Sequence, residues 1–192
     1  MNKKTILLTG AAGNVGYHTL LNLLNEKEKY NIRVFELDNK RTRKLLIPLK
    51  DKIEIIFGDI RNQEDCDKVV KDVFCILHIA ALIPPLADIL PEKAEAINHN
   101  GTINIIKAAE KQKNPPKIYF TSSVSLYGDR VNDPYIKVGD PIKPSVGDEY
   151  AITKAEAEKE IMGSNLNWTI FRLGAISDVN FKMHPIMFHM PL

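Results

Sequence analysis

The sequence contains little cysteine, which narrows the kinds of site the protein can hold. Its 192 residues include 2 cysteines, Cys66 and Cys75. Two cysteines supply neither a disulfide framework nor a zinc site of the usual kind, because both need more sulfur positions or neighbouring ligands. Neither residue has an activating partner nearby in the sequence. We therefore expect reduced thiols, as is normal in the cytoplasm.

An excess of charge of one sign is also missing. Lysine and arginine total 26 against 24 acidic residues, for a formal net charge of +2. A balance this even argues against a dedicated surface for nucleic acid or for an anionic membrane. The 44% hydrophobic and 26% charged residues are typical of a folded globular protein. We expect no nucleic-acid partner and no membrane partner.

Long hydrophobic runs are absent too. The apolar run at residues 5–8 ends before Gly10 and is too short for the core of a signal peptide. The most apolar stretch, 75–90, is interrupted by Pro84, Pro85 and Asp88, so it cannot form a membrane helix. These features predict a cytoplasmic protein.

Short apolar runs alternate with longer amphipathic segments along the chain. Strands are predicted at 4–9, 32–37, 53–57, 73–79, 117–122 and 168–173. Helices are predicted between them, at 14–29, 40–46, 62–71, 93–111 and 148–162. Regular alternation of this kind predicts an α/β protein with a doubly wound parallel sheet and helices on both faces.

A glycine-rich turn lies between the first predicted strand and the first predicted helix, where residues 9–16 read TGAAGNVG. The first glycine permits a tight turn, the second lets backbone amides approach a pyrophosphate, and the third allows close packing of helix and strand. The free N–H groups of the helix then point at the phosphates. The turn predicts dinucleotide binding on a Rossmann-like sheet, with contacts from Gly10, Gly13, Asn14, Val15 and Gly16.

Acidic residues follow the second predicted strand, where a carboxylate can bind the ribose of an adenine dinucleotide. Asp38 is the candidate and Glu36 the alternative. A carboxylate at this position repels a 2′-phosphate, so it favours NAD over NADP. Three nearby cations could instead pair with such a phosphate, namely Lys40, Arg41 and Arg43. We expect NAD as the cofactor, with NADP as the less favoured choice.

Tyr150 and Lys154 lie four residues apart in a predicted helix, so they share one helix face. A free tyrosine has a pKa of about 10 and transfers protons poorly at neutral pH. A neighbouring ammonium lowers that pKa toward the working range. A hydroxyl-rich segment, 121–125, follows the fifth predicted strand at the sheet edge where ligands bind. One of its hydroxyls could orient a substrate oxygen beside Tyr150.

With these features the chain resembles the extended short-chain dehydrogenases/reductases, the NAD-dependent epimerase/dehydratase group. The matching motifs occur in the family's order from residue 5 to about residue 175. Beyond the glycine turn they are GDIR at 58–61, HIAA at 78–81, Asn98 in the long helix, Ser123 five residues before Gly128, the pair Tyr150 and Lys154, and Arg172.

The resemblance implies a role for each matching residue. Tyr150 is expected to be the general acid/base, Lys154 to hold the nicotinamide ribose, and Ser123 to bond the reacting oxygen. The nicotinamide of the cofactor exchanges a hydride with the substrate. Further cofactor contacts are expected from Asp59, Ile60, Ala80, Ala81, Asn98 and Ser122, besides Tyr150 and Lys154.

The same resemblance implies an activity and an organisation. We expect an NAD-dependent nucleotide-sugar epimerase or a related alcohol/carbonyl oxidoreductase, forming homodimers through the helices at 93–111 and 148–162. Residues 1–175 form the expected dinucleotide-binding domain. Residues 176–192 are expected to begin a substrate-binding segment that is largely missing, because family members are commonly longer.

Departures from the family pattern keep other functions open. Family dehydratases usually have an Asp-Glu pair where this sequence has Val124 and Ser125, so a 4,6-dehydratase is not expected. Leu173 follows Arg172 where a proline is frequent, which puts the local cofactor contact in doubt. The alternatives are an NADP-dependent carbonyl reductase and a non-catalytic dinucleotide sensor.

Three other groups have simpler interpretations. His78 is expected to pack near the cofactor and not to act as a base. Trp168 and Phe171 are expected in the core. The histidines and methionines at 183–190 lack nearby acids or cysteines, so no metal site is expected.

Overall fold

Six strands form one parallel sheet in a computed structural model that describes residues 3–176. The strand order is β3-β2-β1-β4-β5-β6. The strands are β1 (Lys4–Thr9), β2 (Tyr30–Glu36), β3 (Glu54–Phe57), β4 (Cys75–His78), β5 (Lys117–Ser123) and β6 (Trp168–Leu173). The order reverses between β1 and β4, so the carboxyl ends of these two strands border a crevice.

Helices connect the strands. They are α1 (Asn14–Leu24), α2 (Lys40–Leu46), α3 (Gln63–Val69), α4 (Leu86–Ile89), α5 (Pro91–Ala94), α6 (Gly101–Glu110) and α7 (Glu149–Gly163). A π-helical turn, Glu95–Asn100, joins α5 to α6, and 3₁₀ turns cover Ile47–Leu49 and Val124–Tyr127. Within residues 3–176, every helix is too short or too polar to cross a bilayer.

The alternation of side chains along each strand builds two apolar cores, one on each face of the sheet. Leu7 joins a cluster formed with α3, α6 and α7, and its neighbour Leu8 joins a second cluster formed with α1 and α2. Both leucines are fully buried. The prediction of a doubly wound, Rossmann-like parallel sheet is confirmed.

Asparagine side chains cap the N-termini of two of the shorter helices. Asn39 accepts hydrogen bonds from the backbone N–H groups of Arg41 and Thr42 at the start of α2. Asn62 does the same at the start of α3. These bonds satisfy N–H groups that have no partner inside the helix. They explain why segments of seven residues form defined helices here.

Two predicted helices differ in detail from the observed ones. The helix predicted at 14–29 ends at Leu24, where Asn25 and Glu26 form shorter i→i−3 backbone bonds. The helix predicted at 93–111 begins at Pro91 and contains the π-helical turn. Such turns are rare and concentrate at functional sites.

The expectation that Trp168 and Phe171 belong to the core is wrong. Their exposed fractions are 39% and 47%. Both residues lie on β6, which has one neighbouring strand, so the edge of the sheet leaves them open to solvent on one side. Phe171 stacks on Tyr119 of β5 with ring centroids 6.4 Å apart. All of the segment 176–192 except Ile176 lies outside the described residues, and its predicted role stays a prediction.

The packing of α1 against the sheet requires a glycine at residue 16. A Cβ atom added to Gly16 would lie 1.9 Å from the carbonyl oxygen of Gly10. We expect Gly16→Ala to lower the free energy of unfolding by about 3 kcal/mol, because the backbone must shift to admit the methyl group. Urea denaturation measures this change. Gly163→Ala is the control, since a Cβ there meets no atom within 4 Å and the effect should stay within about 1 kcal/mol. Equal losses would contradict the role assigned to Gly16.

Candidate functional site

The carboxyl ends of β1 and β4 approach each other closely at the crevice. Gly10 follows β1 with a φ angle of 77°, a conformation that glycine adopts without strain. A Cβ at Gly10 would lie 2.6 Å from the backbone nitrogen of Ala80, which follows β4. Ala80 and Ala81 are both partly exposed here. The glycine turn and the HIAA motif therefore border the same crevice, as their predicted roles require.

The start of α1 is open toward this crevice. A Cβ at Gly13 would make one contact among the described atoms, 3.4 Å from the Gly10 carbonyl oxygen. Packing inside the protein therefore does not require glycine at this position, whereas close approach of a ligand does. The first turn of α1, which includes Asn14, Val15 and Gly16, contains no acidic residue to neutralise the helix dipole. The turn fits a pyrophosphate group.

Two oppositely charged side chains hold the Ala12 peptide of the glycine turn. The Glu36 carboxylate accepts a hydrogen bond from the Ala12 N–H at 2.8 Å. Arg41 donates to the Ala12 carbonyl oxygen at 3.1 Å. Burial raises the pKa of Glu36, and the Ala12 bond opposes that rise. The sequence offered Glu36 as the alternative ribose ligand and Arg41 as one of three cations that could pair with a 2′-phosphate. It did not reveal their contact with the turn, because Ala12 lies 24 and 29 residues away from them.

Asp38 lies on the surface beside α2. Its carboxylate forms an ion pair with Arg43, and both side chains are about half exposed. The hydrogen bonds from the guanidinium hold the pKa of Asp38 below its ordinary value. Arg43 also lies over the ring of Phe57, 5.0 Å from the centroid. The ribose contact of Asp38 stays a prediction.

The GDIR segment is fixed by contacts within the protein. Asp59 forms an ion pair with Arg61, whose hydrogen bonds lower the pKa of Asp59. Ile60 packs so closely on α6 that a Cβ at Gly101 would lie 2.9 Å from its side chain. The Asn104 side chain donates to the Ile60 carbonyl oxygen at 3.0 Å. These contacts hold the segment in place, and the predicted cofactor contacts of Asp59 and Ile60 stay predictions.

His78 is fully buried between two threonines. Its Nδ1 lies 2.8 Å from the Thr9 hydroxyl and its Nε2 lies 3.0 Å from the Thr102 hydroxyl. Thr102 donates its own proton to the Asn98 carbonyl oxygen at 2.6 Å, so it accepts from Nε2–H and leaves Nδ1 as the acceptor. Burial lowers the pKa of His78 to about 3. The residue is a neutral packing group, in agreement with the sequence interpretation.

Asn98 lies on the π-helical turn and is 1% exposed. Its side chain accepts from the Leu82 N–H at 2.7 Å and donates to the Leu82 carbonyl oxygen and to the Thr153 hydroxyl. The amide therefore ties the loop after β4 to α7. All three of these bonds lie inside the protein, and the predicted cofactor contact of Asn98 stays a prediction.

Ser123 ends β5 and faces the first turns of α7. Its Oγ accepts from the hydroxyl of Ser125 at 2.8 Å and from the backbone N–H of Ser125 at 3.1 Å. These bonds use both lone pairs, so the Ser123 proton is available for donation. Ser125, which the sequence identified only as a departure from the dehydratase pattern, thus orients Ser123. The adjacent Ser122 is buried, and its Oγ has no hydrogen-bond partner within residues 3–176.

Tyr150 and Lys154 occupy successive turns of α7. The Lys154 side chain is buried, and its Nζ lies 3.7 Å from the centroid of the Phe120 ring. Burial lowers the pKa of Lys154 to about 7, and Glu158 opposes this change. Burial and the negative charge of Asp148 raise the pKa of Tyr150, while a hydrogen bond with Ser123 lowers it. The net shift is upward, so the expected net lowering of the Tyr150 pKa is wrong, while the separate effect of the Lys154 charge on the phenol stays a prediction.

Arg172 turns toward α7. It bonds the Glu158 carboxylate and the Tyr127 hydroxyl. The described residues contain no cluster of His, Cys, Asp and Glu that could hold a metal ion. The histidines and methionines at 183–190 lie outside them. The buried Cys66 and Cys75 have pKa values raised by burial to about 12 and about 11, so neither thiol is activated.

The strand order, the glycine turn at the reversal point and the Ser–Tyr–Lys set at the carboxyl edge define the class of the extended short-chain dehydrogenases/reductases. A family model described as the 3-beta hydroxysteroid dehydrogenase/isomerase family matches residues 7–176. The chain belongs to this family.

Similar proteins are known from several organisms. A UDP-glucose 4-epimerase of Rickettsia bellii is 33% identical over 129 residues, which are 65% of this chain and 38% of that protein. The short-chain dehydrogenase/reductase family 42E member 1 of Macaca fascicularis is 28% identical over 85% of this chain and 41% of its own length. The Bordetella bronchiseptica enzyme WbmG, solved with NAD and UDP, has a TM-score of 0.76 at 23% identity, covering 89% of this chain and 53% of WbmG. This chain therefore spans about 38–53% of these proteins.

The neutral state of His78 links the stability of the site to pH. The folded pKa of about 3 lies below the ordinary 6.5, so the unfolded chain binds the extra proton first as pH falls. The contribution of neutral His78 to the free energy of unfolding is fully present above pH 6.5 and is lost progressively between pH 6.5 and pH 3. We expect the free energy of unfolding to fall by about 2 kcal/mol less between pH 7 and pH 5 in His78→Gln than in wild type. Urea denaturation at both pH values measures the difference, and equal slopes would contradict it.

Proposed function

We propose that this chain binds NAD and carries the proton-transfer residues of an oxidoreductase of the extended short-chain type. The proposed reaction interconverts a secondary alcohol and a carbonyl, as in nucleotide-sugar epimerisation. The observation that carries the proposal is the assembly of Ser123, Tyr150 and Lys154 at the carboxyl ends of β4 and β5, beside an open glycine turn.

The residues around the crevice fit NAD in three ways. The space at Gly13 and the amides of α1 suit a pyrophosphate group. Asp38 supplies a carboxylate for ribose hydroxyls, which favours NAD over NADP. Ser122 has a buried hydroxyl without a protein partner in the described chain, which suits a bound polar group. When bound, NAD supplies a hydride acceptor at its nicotinamide ring.

Each of the three catalytic residues has a separate task. Ser123, whose hydroxyl bonds Tyr150 in the structure, donates its proton to the reacting oxygen of the substrate. Tyr150 takes up or returns the proton of that oxygen. Lys154 favours the deprotonated phenol by its positive charge, and it holds the nicotinamide ribose. The buried setting strengthens each of these interactions because water does not screen them.

The relatives support a nucleotide sugar as substrate. One similar protein is named a UDP-glucose 4-epimerase, and one similar structure contains NAD and UDP. A hydroxysteroid is the second candidate, because the matching family model carries that description. In both cases the substrate carries a secondary alcohol, so the same three residues serve. Val124 and Ser125, at the positions of the dehydratase acids, argue against water elimination.

Replacement of the Tyr150 hydroxyl tests the proposal. We expect Tyr150→Phe to lower turnover by a factor of about 10²–10⁴, because the proton carrier is lost, and to leave NADH affinity within about twofold. NADH fluorescence titration measures binding. Turnover is measured with UDP-glucose, UDP-N-acetylglucosamine and a 3β-hydroxysteroid.

Gly13→Val is the control for the binding measurement, because its side chain enters the phosphate space without a close protein contact at Cβ. It should fold and fail to bind NADH. A wild-type chain that binds no NADH would refute the proposal. Binding of NADH without turnover of any of these substrates would instead support the dinucleotide sensor.

The cofactor preference should depend on the pair formed by Asp38 and Arg43. We expect Asp38→Ala to shift the ratio of NADH to NADPH affinity toward NADPH by about tenfold or more, because it removes a repulsive carboxylate and frees the Arg43 guanidinium for a 2′-phosphate. Parallel fluorescence titrations with both cofactors measure the ratio. Asp38→Ala combined with Arg43→Gln is the control and should gain less. Tighter binding of NADPH than NADH by wild type would favour the NADP-dependent reductase.

We also propose that two copies pair through the surface formed by α6 and α7, as the family resemblance implies. The π-helical turn packs against α7 in the structure, and His99 lies 3.6 Å from both Glu156 and Glu160 across that contact. The two segments therefore form one continuous surface that a second copy can cover.

A further inference from the structure

Arg172 joins three elements behind the catalytic helix. Its Nε and Nη2 atoms donate to the Glu158 carboxylate, with a shortest distance of 2.7 Å. Its Nη1 donates to the Tyr127 hydroxyl at 2.6 Å. Tyr127 ends the 3₁₀ turn that begins directly after Ser123. One guanidinium on β6 therefore fixes both α7 and the turn that follows Ser123.

Glu158 is a completely buried acid on the same helix face as the catalytic residues. Its side chain has no exposed area, and it lies one helical turn after Lys154 and two turns after Tyr150. A buried carboxylate without a partner is strongly destabilising, so Arg172 makes its charged state possible. The guanidinium in turn has its pKa raised, chiefly by Glu158.

The strands beneath α7 and α7 itself present the following titratable groups near Lys154. His78 on β4 is neutral above a pH of about 3. Arg172 on β6 is engaged by Glu158, and β5 contributes the uncharged ring of Phe120. On α7 itself, Tyr150 is a neutral phenol at pH 7 because burial raises its pKa. Glu158 is the acid that favours the charged form of Lys154.

We propose that Glu158, anchored by Arg172, is a positioning residue that favours the ammonium form of the catalytic Lys154. This inference rests on the proposed function, because it assigns the charge of Lys154 to the proton transfer of Tyr150. The charged and uncharged forms of Lys154 are close in free energy near neutral pH. Burial, opposed by the charge of Glu158, leaves the pKa of Lys154 at about 7, so loss of that charge favours the uncharged amine at neutral pH.

The test is a direct titration of the lysine side chain. ¹³C-detected NMR follows the Cε resonance of Lys154 against pH, and the signal is assigned by its loss in Lys154→Met. We expect Glu158→Gln to lower the pKa of Lys154 by about one pH unit, because an isosteric neutral group replaces the acid. Glu158→Asp retains the charge and should restore the titration midpoint most of the way to the wild-type value.

Glu54→Gln is the matched control, because it removes the acid of the ion pair with Arg33 at the far side of the sheet. It should leave the Lys154 titration unchanged. Tyr127→Phe is a second test should Glu158→Gln fail to fold. It removes one bond to Arg172 and keeps both charges, so the Lys154 midpoint should stay near the wild-type value while NADH binding and turnover weaken through the loosened turn.

The outcomes separate this inference from the proposed function. Folded Glu158→Gln with an unchanged Lys154 titration would overturn the inference, as would an equal shift in Glu54→Gln. If Glu158→Gln does not fold, a Glu158→Asp titration far from wild type, or a shifted midpoint in Tyr127→Phe, would overturn it. None of these readouts needs NAD. Failure of wild type to bind NADH would refute the proposed function separately.

Discussion

The candidate site depends on the close approach of β1 and β4 at their carboxyl ends. The Gly10 backbone lies so near Ala80 that no side chain fits between them. This contact brings the glycine turn, which precedes α1, beside the loop that leads from β4 to α4. A crevice between oppositely directed connections is the feature that lets one sheet edge hold both a dinucleotide and a reacting substrate.

A chain of neutral hydrogen bonds runs from this contact to α7, which carries the proposed proton-transfer residues. It passes from Thr9 through His78 and Thr102 to the backbone of Asn98, and the Asn98 side chain reaches Thr153, next to Lys154. Every group in it is buried, and none is charged at neutral pH. A satisfied neutral network fixes geometry without adding a charge that would disturb Lys154. The hydrogen bonds therefore fix the β1–β4 contact relative to α7, and the groups that form them have no role in the proposed proton transfer.

The fold was largely predictable because the local spacing of apolar residues indicates most of its strands and helices. The boundaries of β1, α2 and β6 agree with the sequence pattern, since an apolar run or an amphipathic repeat ends there at a polar or turn residue. The candidate site residues could be named from the sequence where short motifs contain them, and their roles stay predictions. Contacts between residues distant in the sequence were not predictable. The hydrogen bonds of Glu36 with Ala12 and of Arg172 with Glu158 depend on strand order and register, which cannot be read from a single sequence. The exposure of Trp168 has the same origin, because edge position is a property of the sheet and not of the strand.

The candidate site also lowers the stability of the fold, because it contains the buried Lys154. Lys154 has an ordinary pKa of 10.5 and a folded pKa of about 7, so the unfolded chain binds its proton more strongly across this range. The free energy of unfolding contributed by this group therefore rises with pH between about 7 and 10.5 and is lowest below pH 7. Glu158 reduces the loss by favouring the charged form inside the protein. Exposure of Lys154 to water would remove the loss altogether, but its charge would then be screened from Tyr150. Under the proposed function, a buried lysine with one buried acid nearby lets the ammonium influence the phenol at a reduced cost in stability.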